Sequence, residues 1–199
     1  DGQEDTWFCR DAIRWYFGED QSLEELVANG RLLQMELYAH IFEEVRRKWP
    51  RASMALNWCY NEPWPTAANN SILSYPAQPK PGYYGVRKAL RDQCLSARLY
   101  KMCWTAGESV QADVFVLNDL PRGLESLSYT VVLTDEEGQT LLDLGEHRST
   151  ECPGNTVCCC GTLSFAIPEG SGRKLWLEIR CERDELSNRY LLLNRGRTS

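Results

Sequence analysis

From Leu95 onward, β-branched and aromatic residues alternate with polar ones, and turn residues interrupt the alternation at short intervals. A period of two places alternate side chains on opposite faces of a strand, so the pattern predicts strands with one buried face. Seven strands are predicted, at residues 97–104, 110–117, 127–134, 140–144, 157–167, 174–182 and 189–194. Strands this short and this closely spaced are typical of an immunoglobulin-like β-sandwich, which we expect over residues 95–199.

Two helices are predicted near the start of the chain. Residues 5–17 carry apolar side chains among charges, and Gly18 is a typical helix end. Ser22-Leu23-Glu24-Glu25 has the spacing of a capping box, in which serine and glutamate side chains accept each other's backbone N–H. We expect this box to start a short helix that ends at Asn29-Gly30.

A longer amphipathic helix follows, because apolar residues recur every four positions from Arg31 to Trp49, and Pro50 ends the pattern. A short apolar strand is then predicted at 53–58, and a further helix at 82–91. A helix that leads into a buried strand is an α/β unit. Because a complete eight-stranded barrel takes about 250 residues, we expect residues 1–92 to be only the C-terminal portion of a (β/α)8 barrel. The fold class predicted is therefore a multi-domain α+β fragment.

The chain is acidic and has no concentrated basic surface. Its formal net charge is −6 and its pI is about 5.1. The absence of a basic stripe argues against nucleic-acid binding. Hydrophobic residues make up 43% of the 199 residues, which is enough for a buried core. No apolar run approaches the ~18 residues that span a membrane, so no membrane partner is expected.

The nine cysteines do not form an obvious framework. Their number is odd and their spacing irregular, whereas a disulfide framework usually shows an even set in a short secreted chain. Cys158, Cys159 and Cys160 would alternate between the faces of a strand, and only two histidines are present, so we predict no metal site and no cofactor. Reduced thiols favour a cytoplasmic over a secreted protein. Export stays open, because the chain looks truncated at its start.

The stretch Ala55–Pro65 is where a binding site is expected, since a short apolar run ends abruptly in Trp, Asn, Glu and a Trp between two prolines. The C-terminal end of a barrel strand is where barrel enzymes place their sites. Trp58 could pack its indole on the apolar face of a pyranose ring, or it could brace the barrel floor. Asn61 could orient hydroxyls through its amide, or form an Asx turn. Lys80 is either a loop cation, which we favour, or a tie to a carboxylate.

Three motifs occur in order along the chain: Trp58-Cys59-Tyr60-Asn61-Glu62-Pro63-Trp64-Pro65, then Pro79-Lys80-Pro81-Gly82-Tyr83-Tyr84, and finally Ser187-Asn188-Arg189-Tyr190. Together they resemble glycoside hydrolase family 2, in its β-mannosidase and exo-β-glucosaminidase branch. There the barrel ends in Trp-Gln-Leu-Asn-Asp-x-Trp-Pro, the last helix opens with Lys-Pro-x-Tyr-Tyr, and the sandwich ends with Ser-x-Asn-x-Tyr. The resemblance covers about residues 30–199. Cys59 and Glu62 depart from the usual Gln and Asp, which leaves the subtype open.

The resemblance implies part of a retaining β-glycosidase that hydrolyses terminal β-linked mannosides, glucosaminides or galactosides. Such enzymes use two carboxyl groups about 5–5.5 Å apart, and in this family both are glutamates on barrel strands four and seven, which the chain lacks. We therefore expect no catalytic residue here and no activity of the chain alone. The residues implied to contact the carbohydrate are Trp58, Asn61, Glu62 and Trp64.

Within this interpretation Glu62 would accept hydrogen bonds from sugar hydroxyls, or from an amino group if the substrate is a glucosaminide. Trp64, between Pro63 and Pro65, is expected mainly to pack the loop. An unclosed barrel would leave apolar faces exposed, so association through this region is also expected. The alternative is a non-catalytic β-sandwich module that binds carbohydrate or protein.

Overall fold

The structure is a computed structural model that describes residues 9–66 and 69–196. The chain divides into two compact units. The first comprises the residues up to Val45 together with Pro50–Leu90, and the second comprises Arg46–Trp49 together with the residues from Arg91 onward.

Three helices are seen in the described residues: α1 (Arg10–Phe17), α2 (Leu23–Arg47) and α3 (Pro81–Ala89). The predicted capping box is confirmed, because Ser22 N donates to Glu25 Oε2 at 2.8 Å and Glu25 N donates to Ser22 Oγ at 3.2 Å. The predicted helix at 5–17 is confirmed from Arg10, while residues 5–8 lie outside the described part of the chain. None of the described helices combines the length and apolar character needed to cross a bilayer.

The predicted helix end at Asn29-Gly30 is wrong, because α2 runs through both residues without interruption. Gly30 does not end the helix but allows close packing of α2 against α1. A Cβ atom placed there would lie 2.8 Å from Cδ1 of Ile13, a buried residue of α1. Gly85 of α3 has a similar role, since a Cβ atom there would collide with the backbone carbonyl of Met35 in α2. Both glycines therefore let helices approach more closely than an alanine would.

The strand predicted at 53–58 does not form, and these residues have no regular structure. A buried parallel strand is stabilised by backbone hydrogen bonds to strands on either side. Here the described residues offer no such neighbours to 53–58, and no barrel is seen in them. The first unit instead contains a small antiparallel pair, β1 (Leu73–Ser74) and β2 (Gln78–Pro79).

The second unit is a β-sandwich, as the alternating pattern predicts. A three-stranded sheet has the order β3-β5-β8 and a five-stranded sheet the order β4-β10-β9-β6-β7. The strands are β3 (Gln93–Leu99), β4 (Cys103–Trp104), β5 (Ser109–Asn118), β6 (Ser128–Thr134), β7 (Thr140–Arg148), β8 (Thr156–Ala166), β9 (Lys174–Cys181) and β10 (Asn188–Asn194). Each predicted strand is found, but the first is divided between β3 and β4, which belong to different sheets.

The core of the sandwich lies between the two sheets. Along β5, the buried residues Val110, Ala112, Val114 and Val116 alternate with more exposed ones, as expected for a strand with one inward face. The pairing of β5 with β8 shifts register between Val114 and Phe115, which is a β-bulge. The other fully buried large side chains of the two sheets include Leu95, Leu133, Leu175, Leu177, Ile179 and Leu192.

Two polar side chains of β10 reach from the five-stranded sheet to β3 of the other sheet. Asn188 Nδ2 donates to the Leu95 carbonyl at 3.0 Å and to Tyr190 Oη at 2.6 Å, and the Ala97 amide also donates to Tyr190 Oη at 2.9 Å. All these groups are buried. The third motif of the sequence therefore contributes a hydrogen-bonded link across the sandwich.

All nine cysteines lie in the part of the chain that the structure describes, and none of them is in a disulfide. Only Cys94 and Cys152 are buried, and Cys159 is exposed on β8. Burial, reinforced by the neighbouring Cys158 thiol, raises the pKa of Cys152 to about 12. A buried thiol with so high a pKa behaves as a small apolar side chain, not as a nucleophile.

Candidate functional site

The segment after residue 58 is fixed by backbone hydrogen bonds to both sides of Ile72-Leu73. On one side the amides of Ile72 and Leu73 donate to the Tyr60 carbonyl, and Glu62 N donates to the Leu73 carbonyl at 3.0 Å. On the other side Lys80 N donates to the Ile72 carbonyl at 3.0 Å. Residues distant in sequence, among them Glu62 and Lys80, are thus held beside the same short stretch.

The carboxylate of Glu62 is buried and fully engaged. It forms an ion pair with Lys80 Nζ, accepts a hydrogen bond from the Tyr75 amide at 3.2 Å and lies 3.5 Å from the hydroxyl of Ser71. The Lys80 hydrogen bond is the main reason that the pKa of Glu62 is lowered, and the Tyr75 amide adds to it, while burial opposes the shift. Glu62 is therefore an ionised carboxylate whose partners are all internal to the protein.

Lys80 is a tie to a carboxylate, so the expectation of a free loop cation is wrong. Its side chain is only 13% exposed, and besides Glu62 it donates to the Asn69 carbonyl and to Ser71 Oγ, both at 3.2 Å. An ammonium group has three protons to donate, and three acceptors surround it here. We call the group formed by Glu62, Lys80, Ser71 and the Tyr75 amide the Glu62 clasp.

The aromatic residues of the segment have the opposite character. Trp58 is 80% exposed, Tyr60 61% and Trp64 64%, and Asn61 is exposed beside them. Trp58 consequently braces no barrel floor in the described residues, and Trp64 does not pack under its loop. Cys59 adopts a left-handed backbone with φ 69°, which turns the chain between the first two rings.

The sequence hypothesis thus separates into two parts. Trp58, Asn61 and Trp64 are presented to solvent, whereas Glu62 is buried beneath its own partners. Sequence reasoning missed Ser71 and the Tyr75 amide, because a serine and a backbone N–H carry no signal until the fold brings them to a carboxylate. Contacts of the four predicted residues with a carbohydrate stay a prediction.

The exposed rings and amide of this arrangement suit ligand binding. Double displacement at a sugar needs two carboxyl groups about 5–5.5 Å apart, and between residues 50 and 90 the sequence contains a single acidic residue, Glu62. No group of three His, Cys, Asp or Glu side chains among the described residues could hold a metal ion. Exposed indole and phenol rings, by contrast, offer apolar faces with polar edges, which suits the apolar face of a pyranose ring.

Neither a protein-family model nor a curated protein matches the chain. Solved structures do match, and several of them match over most of its length. A β-D-mannosidase from Dictyoglomus thermophilum matches 92% of this chain with a TM-score of 0.68 and 21% identity. The exo-chitosanase CsxA from Amycolatopsis orientalis matches 93% with a TM-score of 0.66 and 17% identity.

These matches show that the chain has a glycosidase-related fold. The chain spans only about a fifth of those proteins, 22% of the mannosidase and 21% of the exo-chitosanase. The matched part includes both units of this chain, since 92% of 199 residues exceeds the length of either.

Proposed function

We propose that this chain is the C-terminal part of a retaining β-glycosidase that hydrolyses terminal β-linked sugars, namely mannosides, glucosaminides or galactosides. The chain supplies one wall of the substrate site and an accessory sandwich, and the catalytic carboxylates come from elsewhere in the full-length enzyme. The observation that carries this proposal is the extent of the structural match. Helical unit and sandwich together correspond, over 92–93% of the chain, to parts of two exo-glycosidases.

The assignment of each unit follows from its connections. In the sandwich, β3, β5 and β8 form one sheet, while β6, β9 and β10 form the centre of the other. If the short β4 is left out of the count, these are the first, second and fifth strands of the sandwich in one sheet and the third, sixth and seventh in the other. That division of strands is the immunoglobulin-like arrangement. In the first unit, α2 precedes Ala55–Pro65 and α3 follows it. Two helices also flank the final strand of a (β/α)8 barrel along the chain, although residues 53–58 form no strand here.

The wall itself is the aromatic surface of Trp58, Tyr60 and Trp64, with Asn61 among the rings. An indole ring can cover the apolar face of a sugar while its N–H donates to a hydroxyl. The Glu62 clasp gives this surface a rigid base, since a buried, ionised carboxylate held by Lys80 and the Tyr75 amide fixes the backbone between the rings. The side chains that touch substrate are thus Trp58, Asn61 and Trp64, and Glu62 positions them.

The test is hydrolysis of aryl β-mannoside, β-galactoside and β-glucosaminide by the full-length enzyme, and by the 199-residue chain as a control. We expect the full-length enzyme to turn over at least one of the three and the chain alone to turn over none. Failure of the full-length enzyme on every glycoside would refute the proposal. Retention of a glycan without any hydrolysis would favour a non-catalytic carbohydrate-binding module instead.

A further inference from the structure

The wall carries almost no charge. Between Arg51 and Lys80, the sequence contains a single ionisable acid or base of the Asp, Glu, Lys, Arg and His types, which is Glu62. Charged residues make up 25% of the whole chain, whereas only one of the 28 residues between Arg51 and Lys80 is charged. The segment is therefore far less charged than the rest of the chain. The described part of this segment exposes Trp58, Tyr60 and Trp64 together with Asn61, so it presents rings and an amide to whatever binds it.

The one charge in the segment is not available to a ligand. The Glu62 carboxylate is 7% exposed, and Lys80 neutralises it at contact distance. The Lys80 ammonium is in turn satisfied by Glu62, the Asn69 carbonyl and Ser71 Oγ. The clasp therefore contributes neither a free carboxylate nor a free cation to the surface above it.

A charged sugar would gain little from such a surface. An ammonium group that leaves water needs a hydrogen-bonded counter-charge, since burying an unpaired charge is costly. Stacking on an exposed ring stabilises a cation less than a hydrogen bond to a charged group does. A carboxylate would bind more weakly than an ammonium group here, because the faces of the aromatic rings are negative and repel it.

On the basis of the proposed glycosidase function, we infer that the sugar bound against this wall is an uncharged hexopyranoside. Neither an amino sugar nor a uronic acid is the preferred ligand of this wall. The residues that make this selection are Trp58, Asn61 and Trp64, which offer ring faces and neutral hydrogen-bonding groups. The Lys80–Glu62 pair neutralises the one charge within the segment.

The experiment compares aryl β-mannoside, β-galactoside, β-glucosaminide and β-glucuronide as substrates of the full-length enzyme at pH 6, where the amino sugar is cationic and the uronic acid anionic. We expect kcat/KM for the better of the two neutral glycosides to exceed that for either charged one by at least about tenfold, the factor that corresponds to one modest polar contact. A preference for glucosaminide or glucuronide would overturn the inference while leaving the glycosidase intact. Hydrolysis of no glycoside would overturn the proposed function itself.

A second arm adds a charge to the wall. Asn61→Asp places a carboxylate on the exposed position between the rings, and we expect the ratio of kcat/KM for glucosaminide over the preferred neutral glycoside to rise about tenfold. The control is Gln139→Glu, which adds the same charge at an exposed hairpin position of the sandwich and should leave the ratio unchanged. An equal response of the two variants, or no response to Asn61→Asp in a folded enzyme, contradicts the inference.

Discussion

Replacing Glu62 by glutamine tests whether the clasp stabilises the first unit. The change keeps the shape of the side chain and removes its charge, so Lys80 is left as a cation with only 13% of its side chain exposed. Its remaining acceptors, the Asn69 carbonyl and the Ser71 hydroxyl, are neutral. Removing one partner of a buried ion pair costs about 3–5 kcal/mol, because the other charge stays buried without compensation.

The sandwich offers a closely matched control in Glu108. Its carboxylate also pairs with a lysine, Lys101, and also accepts from a backbone amide and a hydroxyl, both of Thr105. The difference is exposure, since the side chains of Lys101 and Glu108 are 45% and 33% exposed. Solvent screens such a pair, so Glu108→Gln should cost only about 0–1 kcal/mol.

The assay is urea unfolding of the 199-residue chain followed by circular dichroism at 222 nm, which reports mainly the helices and hence the first unit. We expect the helical transition of Glu62→Gln to move to clearly lower urea, and that of Glu108→Gln to stay close to wild type. The double variant Glu62→Gln/Lys80→Met removes both charges and should recover much of the loss. Equal shifts for the two single variants would refute the idea that burial gives the clasp its strength.

Three further predictions concern pH, the wall and helix packing. The folded-state pKa of Glu62 lies below its ordinary value of 4.5. Its contribution to the free energy of unfolding is therefore complete above pH 4.5 and is lost as the pH falls through the folded pKa. Glu62→Gln should flatten that part of a profile of unfolding free energy against pH. Trp58→Ala should lower kcat/KM of the full-length enzyme by about tenfold or more. It should change the chain's free energy of unfolding by less than about 0.5 kcal/mol, since the ring is 80% exposed. Unchanged kinetics would show that Trp58 does not contact the substrate. Gly85→Ala should destabilise the chain by about 1–3 kcal/mol in a thermal melt, despite alanine's helix propensity, because the new methyl group meets the Met35 carbonyl. The control is Gly172→Ala, which has open space around it and should have little effect in the same melt.

The elements that the sequence predicts well are those whose pattern depends on local geometry. Alternation along 110–117 marks β5 because a strand's two faces differ in burial, and the Ser22–Glu25 box marks the start of α2 because its hydrogen bonds join residues three apart. The helix break at Gly30 is predicted wrongly because glycine at a packing contact and glycine at a helix end look alike in sequence.

The site was harder to predict, because its important contacts are not local. Glu62 looks like a residue for substrate, and its neutralisation depends on Lys80, eighteen positions away, and on a backbone amide at Tyr75. A strand at 53–58 is apolar enough to be predicted, yet its formation depends on neighbouring strands that the described residues do not offer. Trp58 and Trp64 are exposed, and their contact with a carbohydrate stays a prediction.

The hydrogen-bonded link from Asn188 and Tyr190 to β3 has a consequence for how the sandwich is made. The link joins residues 93 positions apart, and β10 lies between β4 and β9 although it follows both in the chain. At about 5–20 residues per second, a ribosome takes roughly 5–20 s to synthesise the residues between Leu95 and Asn188. During that interval β3 lacks its link to the other sheet and β4 lacks its strand neighbour β10, whereas β9, which ends at Cys181, is made shortly before β10. The link between the two sheets therefore forms late in synthesis.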